Sequence, residues 1–339
     1  MIDPNLKRLY DYVFSQTEET LNISLRHPIT FNPHSIEVHI TEKTIEMGVS
    51  DEIPILCGSL FAPLEDNPEW IYGDTETQLI LKKKQPQKWD IIITSIASST
   101  NYKIDPKSAF LIYTVLSRVG SEEEQPDAFN YLSLSAQYGF PPSLREFGKI
   151  LLNSPNNKTL GLGYLETAAN HYQDQDSLVT LGLIYSLSER NKPKGLQYLK
   201  EAIDLQYAPA FTTLAELLSP YSTLQYPEKN VNEAKRFLED SLKIEETASA
   251  YHQLALIALY GTEDNPPNEE KAKELQEKAM KLDDLVPPLP DKKTLLASTN
   301  SLDKQKTSTA EKIAIGLTTV SLIAAAGYAI FRQIHKFND

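Results

Sequence analysis

The chain has 339 residues, more than one compact domain usually holds, so at least two folded units are expected. With 41% hydrophobic and 9% aromatic residues it has material for packed cores and is not a mainly disordered chain. A formal charge of -13 repels phosphate backbones and excludes nucleic acid as an expected partner, and a single cysteine, Cys57, excludes an internal disulfide and a cysteine-rich zinc site.

Residues 1–100 come first. Met1 to Tyr12 lacks an apolar core of signal-peptide length, so a cytosolic chain with a short N-terminal helical extension is expected. From Leu21 to Ile96 the apolar residues alternate with period two: Leu21, Ile23 and Leu25; Ile36, Val38 and Ile40; Ile45, Met47 and Val49; Leu79 and Leu81; Ile91 and Ile93. Short alternating runs separated by turn residues predict a compact β-sandwich with Cys57 in its core. Tyr12 to Thr17 with Glu19, Gly58 with Leu60 and Phe61, Trp70 with Asp74 as a turn, and Trp89 occur in one order over about eighty residues. In that order they resemble the CS domain of NudC-type proteins. Cys57 and Ser59 replace the acidic pair of that family's hairpin, and its second closing Trp is missing beside Trp89. The resemblance implies a protein-binding module that works with the ninety-kilodalton heat-shock chaperone or its clients. Lys82, Lys83, Lys84 and Lys88 form a local basic cluster in an acidic chain, suited to an acidic partner segment or to protecting an exposed strand from edge pairing.

Residues 104–285 change to a helical pattern that repeats at about 35 residues. First helices are expected near Ser108, Ser143, Ser177, Phe211 and Tyr251, and second helices around Tyr131, Tyr164, Tyr198, Phe237 and Leu275. A longer loop, Tyr221 to Asn230, stretches the fourth copy. Five such pairs predict an α-solenoid. Leu181, Gly182 and Tyr185, and more loosely Leu254, Ala255, Tyr260 and Gly261, form a first-helix motif. Gly163, Tyr164, Leu165 and Ala168, then Gly195, Tyr198, Leu199 and Ala202, form a second-helix motif. These residues resemble the SEL-type branch of the tetratricopeptide-like repeats, in which small residues let helices approach and the aromatic fills the gap. Arg145 and Lys149, one turn apart, are the nearest approach to a clamp for the carboxylates of an acidic tail.

Residues 286–312, beginning with Pro287, Pro288 and Pro290, read as a flexible linker with a reach of roughly 25 to 30 Å. Residues 313–331 then carry no charge over about nineteen positions, enough for a helix to span a bilayer. Ile313, Leu317, Val320, Leu322, Ile323, Ile330 and Phe331 would contact lipid, with Lys312 and Arg332 at the headgroups and residues 332–339 as a short tail. Ser321, Ala325 and Ala329 form a small-residue stripe that would let two copies pair as a homodimer. The arrangement resembles tail-anchored proteins. A short, moderately apolar anchor with a basic tail points to the mitochondrial outer membrane facing the cytosol, with the endoplasmic reticulum membrane as the alternative.

The expected architecture is therefore multidomain: an all-β CS-type sandwich, an all-α helical-repeat solenoid and one transmembrane helix. No metalloprotease, phosphate-loop or nucleophile-elbow motif occurs. His34 and His39 have a near-ligand spacing but no acidic or cysteine partner, and are expected to face solvent. Catalytic, cofactor and metal residues are expected to be absent. The function this predicts is a membrane-held adaptor or co-chaperone-like receptor that recruits a chaperone, client or precursor protein. The alternative is a tether or assembly scaffold for a fission, degradation or quality-control complex.

Overall fold

The computed structural model describes residues 12–97, 104–119, 125–154, 156–188, 190–224 and 226–290. The N-terminal extension and the segment from 291 on, including the expected anchor and its small-residue stripe, lie outside the described residues. Among the described residues no helix is long and apolar enough to cross a membrane. The chain divides into two compact units after Tyr172.

The first unit opens with eight strands: β1 (Tyr12–Gln16), β2 (Thr20–Arg26), β3 (Ile36–Ile40), β4 (Thr44–Val49), β5 (Leu56–Leu60), β6 (Glu69–Tyr72), β7 (Glu76–Lys82) and β8 (Ile93–Ser95). They form two four-stranded sheets, ordered β1-β2-β7-β6 and β3-β4-β5-β8, with every pair antiparallel. The alternation turns one set of side chains inward: Leu21 opposite Leu81 and Ile23 opposite Leu79 from one sheet, Ile45, Met47 and Leu56 from the other. Cys57 is buried and takes part in no disulfide, and Trp89 fills the core from the loop between β7 and β8. Gly58 sits at φ +149, where a Cβ would lie 2.3 Å from Ile93 Cγ2, so that position of β5 accepts only glycine. Trp70, expected in a turn, lies instead in β6, where it pairs with Leu79 and packs on the core. The turn follows at Gly73.

Four helices complete this unit: α1 (Pro106–Val119), α2 (Gln125–Gln137), α3 (Pro141–Leu152) and α4 (Lys158–Tyr172). Ile104, Ala109 and Ile112 belong to the same buried cluster as the strand residues. The expected boundary between 100 and 104 is thus a change of secondary structure across a shared core. Asp105 fixes the junction: Oδ1 accepts from the Ser108 amide at 2.9 Å, capping α1, and Oδ2 accepts from the Cys57 amide at 3.0 Å. Lys107 Nζ donates to the Tyr12 carbonyl at the outer end of β1, and the Tyr12 hydroxyl meets Ser108 Oγ at 3.1 Å.

The second unit contains α5 (Gln175–Ser186), α6 (Lys192–Asp204), α7 (Ala208–Leu218), α8 (Val231–Ile244), α9 (Ala248–Tyr260) and α10 (Glu269–Leu282). The ten helices fall where the period places them. Within each unit the helices pack as the pairs α1–α2, α3–α4, α5–α6, α7–α8 and α9–α10, each with one small residue in the first turn of its second helix: Ala128, Gly161, Gly195, Ala234 and Ala272, all buried, at intervals of about 33 to 39 residues. Gly161, rather than Gly163, is the partner of Gly195 in this series. A Cβ on Gly195 would lie 2.2 Å from the Ser186 amide nitrogen and one on Gly161 2.7 Å from the Gly148 carbonyl, whereas one on Gly163 meets nothing within 4 Å. Aromatic pairs fill the same gaps: Phe147 with Tyr164 at 5.0 Å edge-on, Tyr185 with Tyr198 at 6.1 Å, and Phe211 with Phe237 at 6.4 Å.

Candidate protein-interaction surface

The β6 edge offers the clearest surface for a protein partner. Antiparallel pairing puts Trp70 and Tyr72 on one face of β6 and Ile71 on the other. The Trp70 and Tyr72 rings are parallel within 7° with centroids 5.7 Å apart, and His34, delivered by the turn before β3, lies 4.1 Å from Tyr72. Trp70 is half-buried against the core, Tyr72 is 42% exposed, and Ile71 is 54% exposed. The result is an aromatic row running from the core to solvent, beside a strand at the outer edge of its sheet. Backbone groups at a sheet edge add a strand by hydrogen bonding, and flanking aromatic and apolar side chains select what is added. The residues that build this row were not singled out from the sequence as a site. The available signal was the Trp-x-Tyr alternation, which marks a strand face.

The four lysines part company. β7 is flanked on both sides, so Lys82 does not guard an edge; it pairs with Glu69 on β6 at 3.2 Å. Lys83, expected in the binding cluster, is 5% exposed and points inward. Its ammonium donates to Gln16 Oε1 at 2.7 Å, to the Thr17 carbonyl at 2.8 Å and to the Gln87 carbonyl at 2.6 Å, and it lies 5.1 Å from the Trp89 ring. Burial pushes the Lys83 ammonium below the usual lysine range, against the opposing pull of Glu18. Gln16 in turn brackets Trp89, donating to its carbonyl at 2.6 Å and accepting from its amide at 2.9 Å. Lys83 is therefore a clasp inside the sandwich and is withdrawn from the binding set. Lys84 and Lys88 are exposed.

Arg145 and Lys149 do lie together on α3, but both face Glu146, at 3.2 and 3.9 Å, and both are about three-quarters buried at the side chain. Two cations that already share one carboxylate and are mostly buried are a poor seat for the carboxylates of an acidic tail. His34 and His39 are exposed, as expected, and His39 lies 3.7 Å from Glu37. Among the described residues no cluster of three His, Cys, Asp or Glu side chains would hold a metal ion.

Two surface clefts accompany the row. One of about 450 Å³ lies in the first unit between the end of β8 and α2, lined by Ile96, Asp127, Asn130, Tyr131 and Gln137. The other, about 440 Å³, lies in the second unit, floored by Leu254, Ile257 and Leu275 and rimmed by Lys235 and Lys271.

No family profile matches the chain, and no curated protein does. Among solved structures, a Sel1 repeat protein from Oxalobacter formigenes aligns at 16% identity and a TM-score of 0.43, over 52% of this chain and 73% of that one. A protective antigen of uropathogenic Escherichia coli displaying an SLR fold aligns at 14% identity and 0.41, over 68% and 56%. The nuclear movement protein from E. cuniculi aligns at 20% identity and 0.22, over 24% of this chain and 98% of that one. None of these TM-scores reaches 0.5, and the description of the fold rests on the strand registers and helix pairs themselves.

Proposed function

We propose that this chain is a protein-binding adaptor held at an intracellular membrane, and that its sandwich recruits a partner through the β6 edge. The observation that carries the reading is the Trp70–Tyr72–His34 row, an aromatic surface that reaches solvent at the edge of a sheet. The resemblance of the strand motifs to NudC-type CS domains favours a heat-shock chaperone, its client or a precursor protein as that partner. The uncharged segment 313–331 between Lys312 and Arg332 supplies the membrane attachment in this reading, at the mitochondrial outer membrane.

Two experiments test it. Proteins co-purifying with the full-length chain are compared with those recovered by an Ile71→Ser, Tyr72→Ala variant whose far-UV circular dichroism is unchanged. Loss of a chaperone or client from the variant supports the adaptor reading; an identical set of proteins from both chains, or none from either, overturns it. Independently, a fluorescent protein fused to residues 304–339 is imaged in cells. Mitochondrial outlining is expected, and a diffuse cytosolic signal removes the membrane from the proposal.

A further inference from the structure

Beyond α10 the described chain continues as Val286-Pro287-Pro288-Leu289-Pro290. Three prolines fix φ near -65°, and Val286, Pro287 and Leu289 each precede a proline, which drives them out of the helical region. Val286, Pro287 and Leu289 are thereby restricted to extended, polyproline II-like backbone, and Pro288 and Pro290 carry the φ of that form. That form has three residues per turn, so the carbonyls of residues 287 and 290 face the same way. Those two carbonyls are the ones the helices take. Gln276 Nε2 donates to the Pro287 carbonyl at 2.8 Å, and the Tyr260 hydroxyl donates to the Pro290 carbonyl at 3.4 Å.

Both donors are held by further contacts. Gln276 is 6% exposed, and because its Nε2 is committed to Pro287, its Oε1 accepts from His252 Nδ1 at 2.8 Å. Burial keeps His252 below the ordinary histidine value, which favours this neutral Nδ1–H form. The Tyr260 ring lies 5.0 Å from that of Tyr221, whose hydroxyl donates to the Gly261 carbonyl at 2.6 Å. Proline has no N–H, so preset donors spaced for its carbonyls, beside aromatic rings, are the chemistry that recognises a polyproline II segment.

We propose that the α9–α10 face carrying Tyr260, Gln276 and Tyr221 is a polyproline II recognition site, loaded by residues 286–290 of the same chain, and that it receives a proline-rich segment of another protein when this strap leaves. The strap competes at the high effective concentration of a tethered ligand, so a partner segment must outbid it or arrive when it is withdrawn. The site does not involve the β6 edge, and its test is independent of the adaptor reading.

The probe is a fluorescein-labelled synthetic peptide with the sequence of residues 284–292, titrated against the full-length chain in detergent and followed by anisotropy. A strap variant, Pro287→Gly with Pro288→Gly and Pro290→Gly, is expected to bind the peptide at least tenfold more tightly than the native chain. Adding Gln276→Leu, or Tyr260→Phe, which keeps the ring and removes only the hydroxyl, is expected to reverse at least half of that gain on a logarithmic scale. A peptide with its prolines replaced by alanine is expected to bind at least tenfold more weakly. Equal binding by the native and strap-variant chains overturns the proposal, and so does peptide binding that neither Gln276→Leu nor Tyr260→Phe weakens.

Discussion

Asp105 and Cys57 are joined twice over: the Cys57 amide donates to Asp105 Oδ2 at 3.0 Å, and the Asp105 amide donates to the Cys57 carbonyl at 3.1 Å. With its second carboxylate oxygen on the Ser108 amide, one fully buried side chain both starts α1 and holds that start against β5. Asp105→Ala removes a helix cap and leaves a buried amide without an acceptor, a loss of about 3 kcal/mol from the two terms together. Asp105→Asn, which keeps one acceptor oxygen, is expected to lose roughly half as much. Cys57→Ala leaves both backbone bonds intact and costs about 1 kcal/mol. Both tryptophans, Trp70 and Trp89, lie in the sandwich, so the urea midpoint by tryptophan fluorescence reports all three variants directly.

Lys83 and Lys84 are neighbours with opposite fates. Lys83→Met leaves the Thr17 and Gln87 carbonyls without their donor and is expected to lower sandwich stability by about 2 kcal/mol. Lys84→Ala and Lys88→Ala, on exposed side chains, are expected to stay within about 0.5 kcal/mol of the native protein. Chemical denaturation of the three single variants checks this, and a Lys83→Met protein as stable as Lys84→Ala would refute the clasp.

Two glycines in equivalent helices should respond in opposite directions to the same added methyl group. Gly195→Ala drives a Cβ into the backbone of Ser186 and is expected to cost about 2 to 3 kcal/mol by overpacking. Gly163→Ala projects into open space in mid-helix and is expected to gain about 0.5 to 1 kcal/mol. Thermal unfolding at 222 nm distinguishes them.

Glu216, on α7, is held near a pKa of about 7 chiefly by desolvation, with Lys229 pulling the other way. Lys229, desolvated and donating to the Leu217 and Leu224 carbonyls at 2.9 and 2.8 Å, is lowered to about 8. A raised carboxyl pKa contributes stability that is complete below the unfolded value of 4.5 and is lost as pH rises to about 7. A lowered lysine pKa contributes stability that is complete above the unfolded value of 10.5 and is lost as pH falls to about 8. These two groups together therefore place their least favourable contribution between about pH 7 and 8. The Glu216→Gln variant is expected to lack the fall between pH 4.5 and 7, read as the difference in helix-unfolding midpoint between the two proteins at each pH. Parallel pH curves for native and variant chains would show that Glu216 does not titrate in this window.

Much of the fold is written locally. Period-two alternation at Leu21, Ile23 and Leu25 identifies a half-buried strand without knowledge of its partner, and Tyr131, Tyr164 and Tyr198 recurring at about one repeat length identify helix pairs by spacing alone. What escaped the sequence depends on residues far apart. Lys83 reads as part of a basic run because its acceptors lie on Gln16 and Thr17, more than sixty positions away. Pro287 to Pro290 read as a spacer because the donors that hold them are on α9 and α10. The β6 row was hidden because Trp70 and Tyr72 acquire His34 as a neighbour only when β3 is brought alongside by the other sheet.

The close approach at Gly195 bears on how this chain tolerates change in length. Between Gly195 and Ala234 the spacing is wider than between Gly161 and Gly195, yet the small residue remains buried in the same turn of its helix, and the extra length is carried by the loop 219–230. Insertions are therefore absorbed in the turns between helices. A single residue added within α6 would rotate the helix by about 100° and replace the hydrogen atom facing Ser186 with a side chain. An epitope tag placed at the exposed positions 227–228 of the 219–230 loop, clear of the buried Leu224 and Tyr226, should leave the helical unit folded, while the same sequence placed a few residues downstream of Lys192 should not.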